Sequence, residues 1–299
     1  MLKYTKLSDV SPSQIKWWNK INASRQKWIL IALLIFFTQV ASSQTITVDG
    51  DPSDWPAVLK RTDIPKTFRH DANNTNDDQW TGGSQDEDLV NTWYWIKGNT
   101  NDKGDITNAG AVLIGKRIYF FGDRTAVQGN AQIGFWFFLG GIAPTGSGLV
   151  QSTFTGQNRD GDILAISNFT NGGGAGAPTI YRRQGANLVE DASISAFVRT
   201  NKDKAMQYVP PGVTTSDPTW PFTESWTFTP KSDGEAGEYP DPLFFEGYID
   251  FTNVEDASLC FTNFLLETRN SHSLDASLQD FVAGNFDVTP RPSLDLDPI

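Results

Sequence analysis

Residues 105–140 read DITNAGAVLIGKRIYFFGDRTAVQGNAQIGFWFFLG, and their pattern decides the fold. Ala109–Ile114 is an apolar run. Gly115 and Lys116 then offer a two-residue turn whose leading glycine can take positive φ, as a type II′ hairpin requires. Arg117–Phe121 returns with apolar residues on both faces, Ile118 and Phe120 against Tyr119 and Phe121, and Phe135–Leu139 carries no polar side chain. Strands of this kind need cover on both sides, and runs this short do not span a membrane. The stretch therefore predicts three consecutive strands in the middle of one sheet that packs on a second. The class is all-β, a two-sheet antiparallel β-sandwich with long loops over residues 44–286.

Working outward, Asp162–Phe169, Thr179–Arg182 and Ser193–Val198 read as further strands. Residues 210–242 hold seven prolines with Trp220, Trp226 and Tyr239, which predicts a long loop wrapped on the sandwich and holding one strand, Ser225–Phe228. Upstream, residues 61–105 are rich in Asn, Asp and Gly and read as irregular loops, because such side chains compete for backbone hydrogen bonds. Trp93 and Trp95 alternate around Tyr94, which places both on one side of a strand.

The 299 residues carry 24 Lys+Arg against 35 Asp+Glu, a net charge of −11. Six of the basic residues and only Asp9 of the acidic ones fall within residues 1–43, so the remainder stands at −16. A surface that acidic repels phosphate backbones and argues against a nucleic-acid partner. Cys260 is the only cysteine, which excludes an intramolecular disulfide framework and reads as a small core residue. With His70 and His272 the only histidines, neither a histidine zinc cage nor a Ser-His-Asp triad has support.

Residues 1–43 join a basic stretch to the apolar run Trp28–Phe37 and then to Ala41-Ser42-Ser43. This is the layout of a cleaved export signal, and the run is shorter than the ~20 residues a spanning helix needs. The expectation is a secreted or cell-surface protein with no membrane span after cleavage. Residues 287–299 read as a linker or frayed tail.

Thr45–Val48 reads as a short strand before Asp49-Gly50-Asp51-Pro52-Ser53-Asp54-Trp55. The pattern of strand, Asp-Gly and Asp-Trp resembles the start of carbohydrate-binding module family 9 and DOMON-like sandwiches. Phe245–Asp250 and Phe261–Asn270 are similar to the closing strands of those folds. QDED at 85–88, WYW at 93–95, DITNA at 105–109, GFWFF at 134–138, GDIL at 161–164 and LLETRNS at 265–271 together resemble the amino-terminal domain of large modular bacterial surface proteins. The resemblance implies a non-catalytic, adhesin-type module with an extracellular glycan or surface protein as its partner.

Three constellations bear on chemistry. Asp86, Asp105, Asn108 and Asp123 offer the oxygen ligands that calcium accepts, although their spacing is not that of an EF-hand. Trp80 and Trp220 sit among polar, Gly and Pro residues and are the candidate stacking faces for a sugar, whereas Trp55, Trp93, Trp95 and Trp136 have apolar neighbours and read as core. Asp160 with Asp162 and Glu246 with Asp250 are the carboxylate pairs a glycoside-active enzyme would use, ranked below a binding module because acid is abundant throughout. GGGAG at 172–176 lacks the Lys-Ser/Thr ending of a phosphate loop.

Overall fold

The computed structural model describes residues 45–71, 76–126, 131–170, 174–231, 233–254 and 259–286. The export signal expected at 1–43 and the tail expected at 287–299 lie outside them. The chain is a two-sheet, antiparallel β-sandwich. One sheet has the order β1-β4-β5-β16-β13, built from β1 (Lys66–His70), β4 (Asn108–Ile114), β5 (Arg117–Asp123), β16 (Phe244–Asp250) and β13 (Ser195–Thr200). The facing sheet contains β2 (Asp77–Thr81), β3 (Tyr94–Gly98), β6 (Ala131–Phe138), β7 (Ala143–Thr145), β8 (Ser152–Thr155), β9 (Ile163–Thr170), β10 (Gly174–Ala175), β11 (Thr179–Gln184), β12 (Asn187–Glu190), β17 (Asn263–Arg269) and β18 (Leu278–Asn285). Its order is β12-β11-β9-β6-β17-β18-β2-β3-β8-β7, with β10 paired to β9. A separate two-stranded ribbon joins β14 (Gln207–Tyr208) to β15 (Glu238–Tyr239).

The hairpin expected at Gly115 is present. Ile114 pairs with Arg117, Gly115 takes φ 62°, and Lys116 is not among the positive-φ residues, which is the type II′ arrangement. The third strand of that stretch departs from expectation: β6 lies in the facing sheet, not beside β5. A two-residue turn holds β4 and β5 together, but the longer connection after Asp123 carries the chain across the sandwich. Phe120 of β5 consequently meets Phe135 of β6 across the interface, ring centres 4.7 Å apart. Around them Ala109, Ala111, Ile118, Phe245 and Ile249 from one sheet pack on Ile133, Phe137, Ile163, Phe264 and Leu266 from the other.

Alternation leaves both outer faces apolar as well, and each has its own cover. Over the first sheet lie a short helix, α1 (Trp55–Leu59), and the proline-rich segment. Phe121 is clamped between Trp55 at 4.4 Å and a parallel Trp226 at 4.3 Å. The wrap expected of residues 210–242 is therefore real, but the strand expected at Ser225–Phe228 is not, since Trp226 and Phe228 are spent on packing against the sheet. Thr45–Val48 likewise forms no strand, and β1 and β2 occupy a region expected to be irregular. Over the second sheet, Trp93 is fully buried between Trp136 and Phe154.

Candidate functional site

The Asp-Gly…Asp-Trp motif has a structural job. Asp49 and Gly50 donate their amides to Glu246 Oε1 at 2.8 and 2.6 Å, and Trp55 Nε1 donates to Glu246 Oε2 at 2.7 Å. Glu246 is fully buried, which pushes its carboxyl up to about 8 against these three donors. Its partner in the expected catalytic pair, Asp250, is held by Arg117 at 2.6 Å. In the other pair, Asp162 accepts the amides of Leu139 and Arg159, and Asp160 accepts that of Gly185.

The four residues expected to ligate calcium do not converge on one point. Asp123 and Asn108 are neighbours, but Asp123 is already saturated by the amides of Thr107 and Asn108, by Asn108 Nδ2 at 2.6 Å and by the Tyr239 hydroxyl at 2.6 Å. Burial pushes its carboxyl up to about 7 despite those donors. Asp86 lies beneath the outer cover of the other sheet, paired with Arg269 and accepting Trp136 Nε1 at 2.9 Å. Glu267 beside it is raised well above the ordinary range by burial and by the Asp86 charge. Asp105 binds Lys231 Nζ at 2.5 Å through Oδ2, while its buried Oδ1 has no donor.

Next to Asp105 lies a group whose members the sequence did not connect. Asp71, which follows β1, Asp77, which opens β2, and Asp280 of β18 bring one carboxylate oxygen each within 4.8 Å of the others. Asp77 and Asp280 are completely buried. Asp280 Oδ2 accepts the Ile106 amide at 2.6 Å, but among the described residues Asp280 Oδ1 and both oxygens of Asp77 complete no well-formed hydrogen bond, the Thr100 hydroxyl being a neighbour of Asp77. Burial, then the charges of Asp105 and Asp71, push the Asp77 carboxyl up to about 8. Asp280 is raised well above the ordinary range by burial and by Asp77 and Asp71.

The two tryptophans expected to stack on sugar are not open. Trp80 is 7 % exposed, stacked on Phe154 at 4.9 Å; Trp220 is 6 % exposed, wedged against Phe68 at 5.3 Å with Nε1 donating to Glu224 O. An aromatic row does face outward on the first sheet. Tyr119, Tyr248 and Phe197 occupy directly paired positions on β5, β16 and β13, with successive ring centres 6.0 Å apart. Phe197 is 40 % exposed, and Arg117 lies over the Tyr248 ring at 4.9 Å. With Ile46 and Val48 these residues line an open groove of about 280 Å³. A larger groove, about 430 Å³, runs between Arg69, Pro144, Phe222 and Asn285, without such a row of rings.

The histidines serve locally, His70 Nδ1 against Asn108 Oδ1 at 3.0 Å and His272 Nε2 against Thr179 Oγ1 at 3.4 Å. Cys260 is half-buried rather than core. Arg124 is fully buried, its guanidinium 5.5 Å from the Phe169 ring centre, and among the described residues none of its three side-chain nitrogens meets an acceptor. Among the described residues no helix is long and apolar enough to cross a membrane. Comparison with protein-family models, with curated proteins and with solved structures returns no match to this chain.

Proposed function

We propose that this chain is a non-catalytic module of an exported, adhesin-type bacterial surface protein and that it binds a glycan on the outer face of its five-stranded sheet. The row Tyr119–Tyr248–Phe197 carries the reading. Three rings at paired positions on adjacent strands, with successive centres 6.0 Å apart and planes tilted by 59° and 34°, make a stepped aromatic shelf. Sugar rings present apolar C–H faces to such shelves, and the Arg117–Asp250 pair at one end supplies a donor and an acceptor for hydroxyls. The export-signal pattern of residues 1–43 and the resemblance to the leading domains of surface proteins support the location.

The full chain would be applied to a glycan array, and its best hit measured by calorimetry against Tyr248→Ala and Phe197→Ala. Each variant is expected to lose about 1–3 kcal/mol, by analogy with nucleobases stacked on aromatic side chains. Unchanged affinity in both variants removes the shelf from the proposal, and an array without any hit removes the glycan.

A further inference from the structure

We infer that Asp71, Asp77 and Asp280, with Asp105 behind them, form a calcium site that ties the two sheets together. The observation that points to a ligand is the set of buried oxygens with nothing to bind. Asp280 and Asp77 are both 0 % exposed, yet among the described residues Asp280 Oδ1, both oxygens of Asp77 and Asp105 Oδ1 complete no well-formed hydrogen bond. A buried carboxylate oxygen without a hydrogen bond or counter-charge is strongly disfavoured, and the three carboxylates, one oxygen of each within 4.8 Å of the others, repel one another as well. Among the described residues, Lys231 ion-pairs at this place with Asp102 at 3.1 Å and with Asp105 at 2.5 Å. That leaves Asp77 and Asp280 to be neutralised by something else.

The donor set chooses the ion. It is all oxygen, with no histidine or cysteine, which suits a hard cation over zinc. Several protein carboxylates in an irregular cage suit calcium, which tolerates varied coordination, better than magnesium, which keeps most of its waters. Asp71 is half-buried and gives the ion a way in.

The location gives the ion its effect. Asp71 leaves β1 of the first sheet, Asp105 precedes β4 of the same sheet, and Asp77 and Asp280 belong to β2 and β18 of the second. An ion there bridges the sandwich at the point where the chain crosses it. It also straddles the narrowest joint in the long sheet, since β2 and β18 share the single register pair Gln79–Asp280.

The test uses the full chain freed of metal by chelator, at pH 7.5. Millimolar calcium chloride is expected to raise the melting temperature by roughly 5–10 °C at a hundredfold excess over Kd, with one ion bound per chain by calorimetry. Magnesium chloride is expected to give a smaller rise. The Asp77→Asn/Asp280→Asn double variant, which keeps the side-chain shapes and removes the repulsion, should lose both the rise and the binding. Asp71→Asn, at the accessible edge, should weaken calcium at least tenfold and serves if the double variant does not fold. The inference is overturned if calcium neither binds nor moves the melting curve of the wild type, or if binding survives intact in the variants. A magnesium effect equal to that of calcium overturns the choice of ion.

Discussion

The amide of Gly50 donates to Glu246 Oε1 at 2.6 Å, joining the entry of the chain to the centre of a strand 196 positions away. Gly50 takes φ 86°, and a Cβ there would come within 2.3 Å of the Thr200 carbonyl oxygen. Only glycine fits both demands. Gly50→Ala should destabilise the fold by at least ~2 kcal/mol, and Glu246→Ala, which leaves the amides of Asp49 and Gly50 and the Trp55 indole without their acceptor, by at least ~3 kcal/mol. Urea denaturation of the double variant should show clearly less than the sum, because each change breaks the same contact.

Trp220→Ala should act on stability and leave glycan binding untouched. The indole fills a buried site against Phe68 and Phe222, so its loss should lower unfolding free energy by about 3–5 kcal/mol. A still-stable variant with weakened glycan affinity would restore Trp220 as a stacking face.

Arg124 is expected to respond in the opposite sense. Burial pushes its guanidinium down to about 10, and the Phe169 ring is a weak substitute for a counter-ion. Replacing a poorly compensated buried charge by an apolar side chain of similar length commonly stabilises, so Arg124→Met should gain about 1–4 kcal/mol in chemical denaturation. A loss of stability would show that the guanidinium is doing more than stacking.

Stability should fall as pH rises through neutrality. Burial raises Asp162 to about 6, Asp123 to about 7 and Glu246 to about 8, whereas carboxyls of the unfolded chain titrate near 4. Between roughly pH 4.5 and 8 the folded chain therefore holds protons that the unfolded chain has released. Each such proton steepens the decline by up to about 1.4 kcal/mol per pH unit. The urea midpoint at about pH 5.5 should exceed that at about pH 8, with calcium absent in both; equal midpoints would mean that the amide donors around these groups outweigh their burial.

Local pattern made the β4–β5 hairpin and the buried tryptophans readable. Period-two alternation and a Gly-led turn act over a few residues, and Trp55, Trp93, Trp95 and Trp136 have apolar sequence neighbours that are also spatial neighbours of the core. Trp80 and Trp220 misled because their polar neighbours in sequence point elsewhere while the indoles turn inward. The transfer of β6 to the facing sheet was hidden because an all-apolar strand reads the same in either sheet. The Asp71–Asp77–Asp280 group was illegible for another reason: it forms only when β18, almost at the end of the described chain, pairs beside β2. Asp105 alone was legible, and it stands at the edge of that group.

The single pair Gln79–Asp280 has a consequence for how the molecule opens. Strands β2 and β3 share five register pairs, and β17 and β18 share six, so a ladder of five and a ladder of six meet at a seam of one. Cooperative units in native proteins tend to part where hydrogen bonding is thinnest. Amide protons of β2, β3 and β8 should exchange with solvent in sub-global openings that leave β6, β9 and β17 protected, and a protein pulled from its ends should yield at that seam before the central ladders give way.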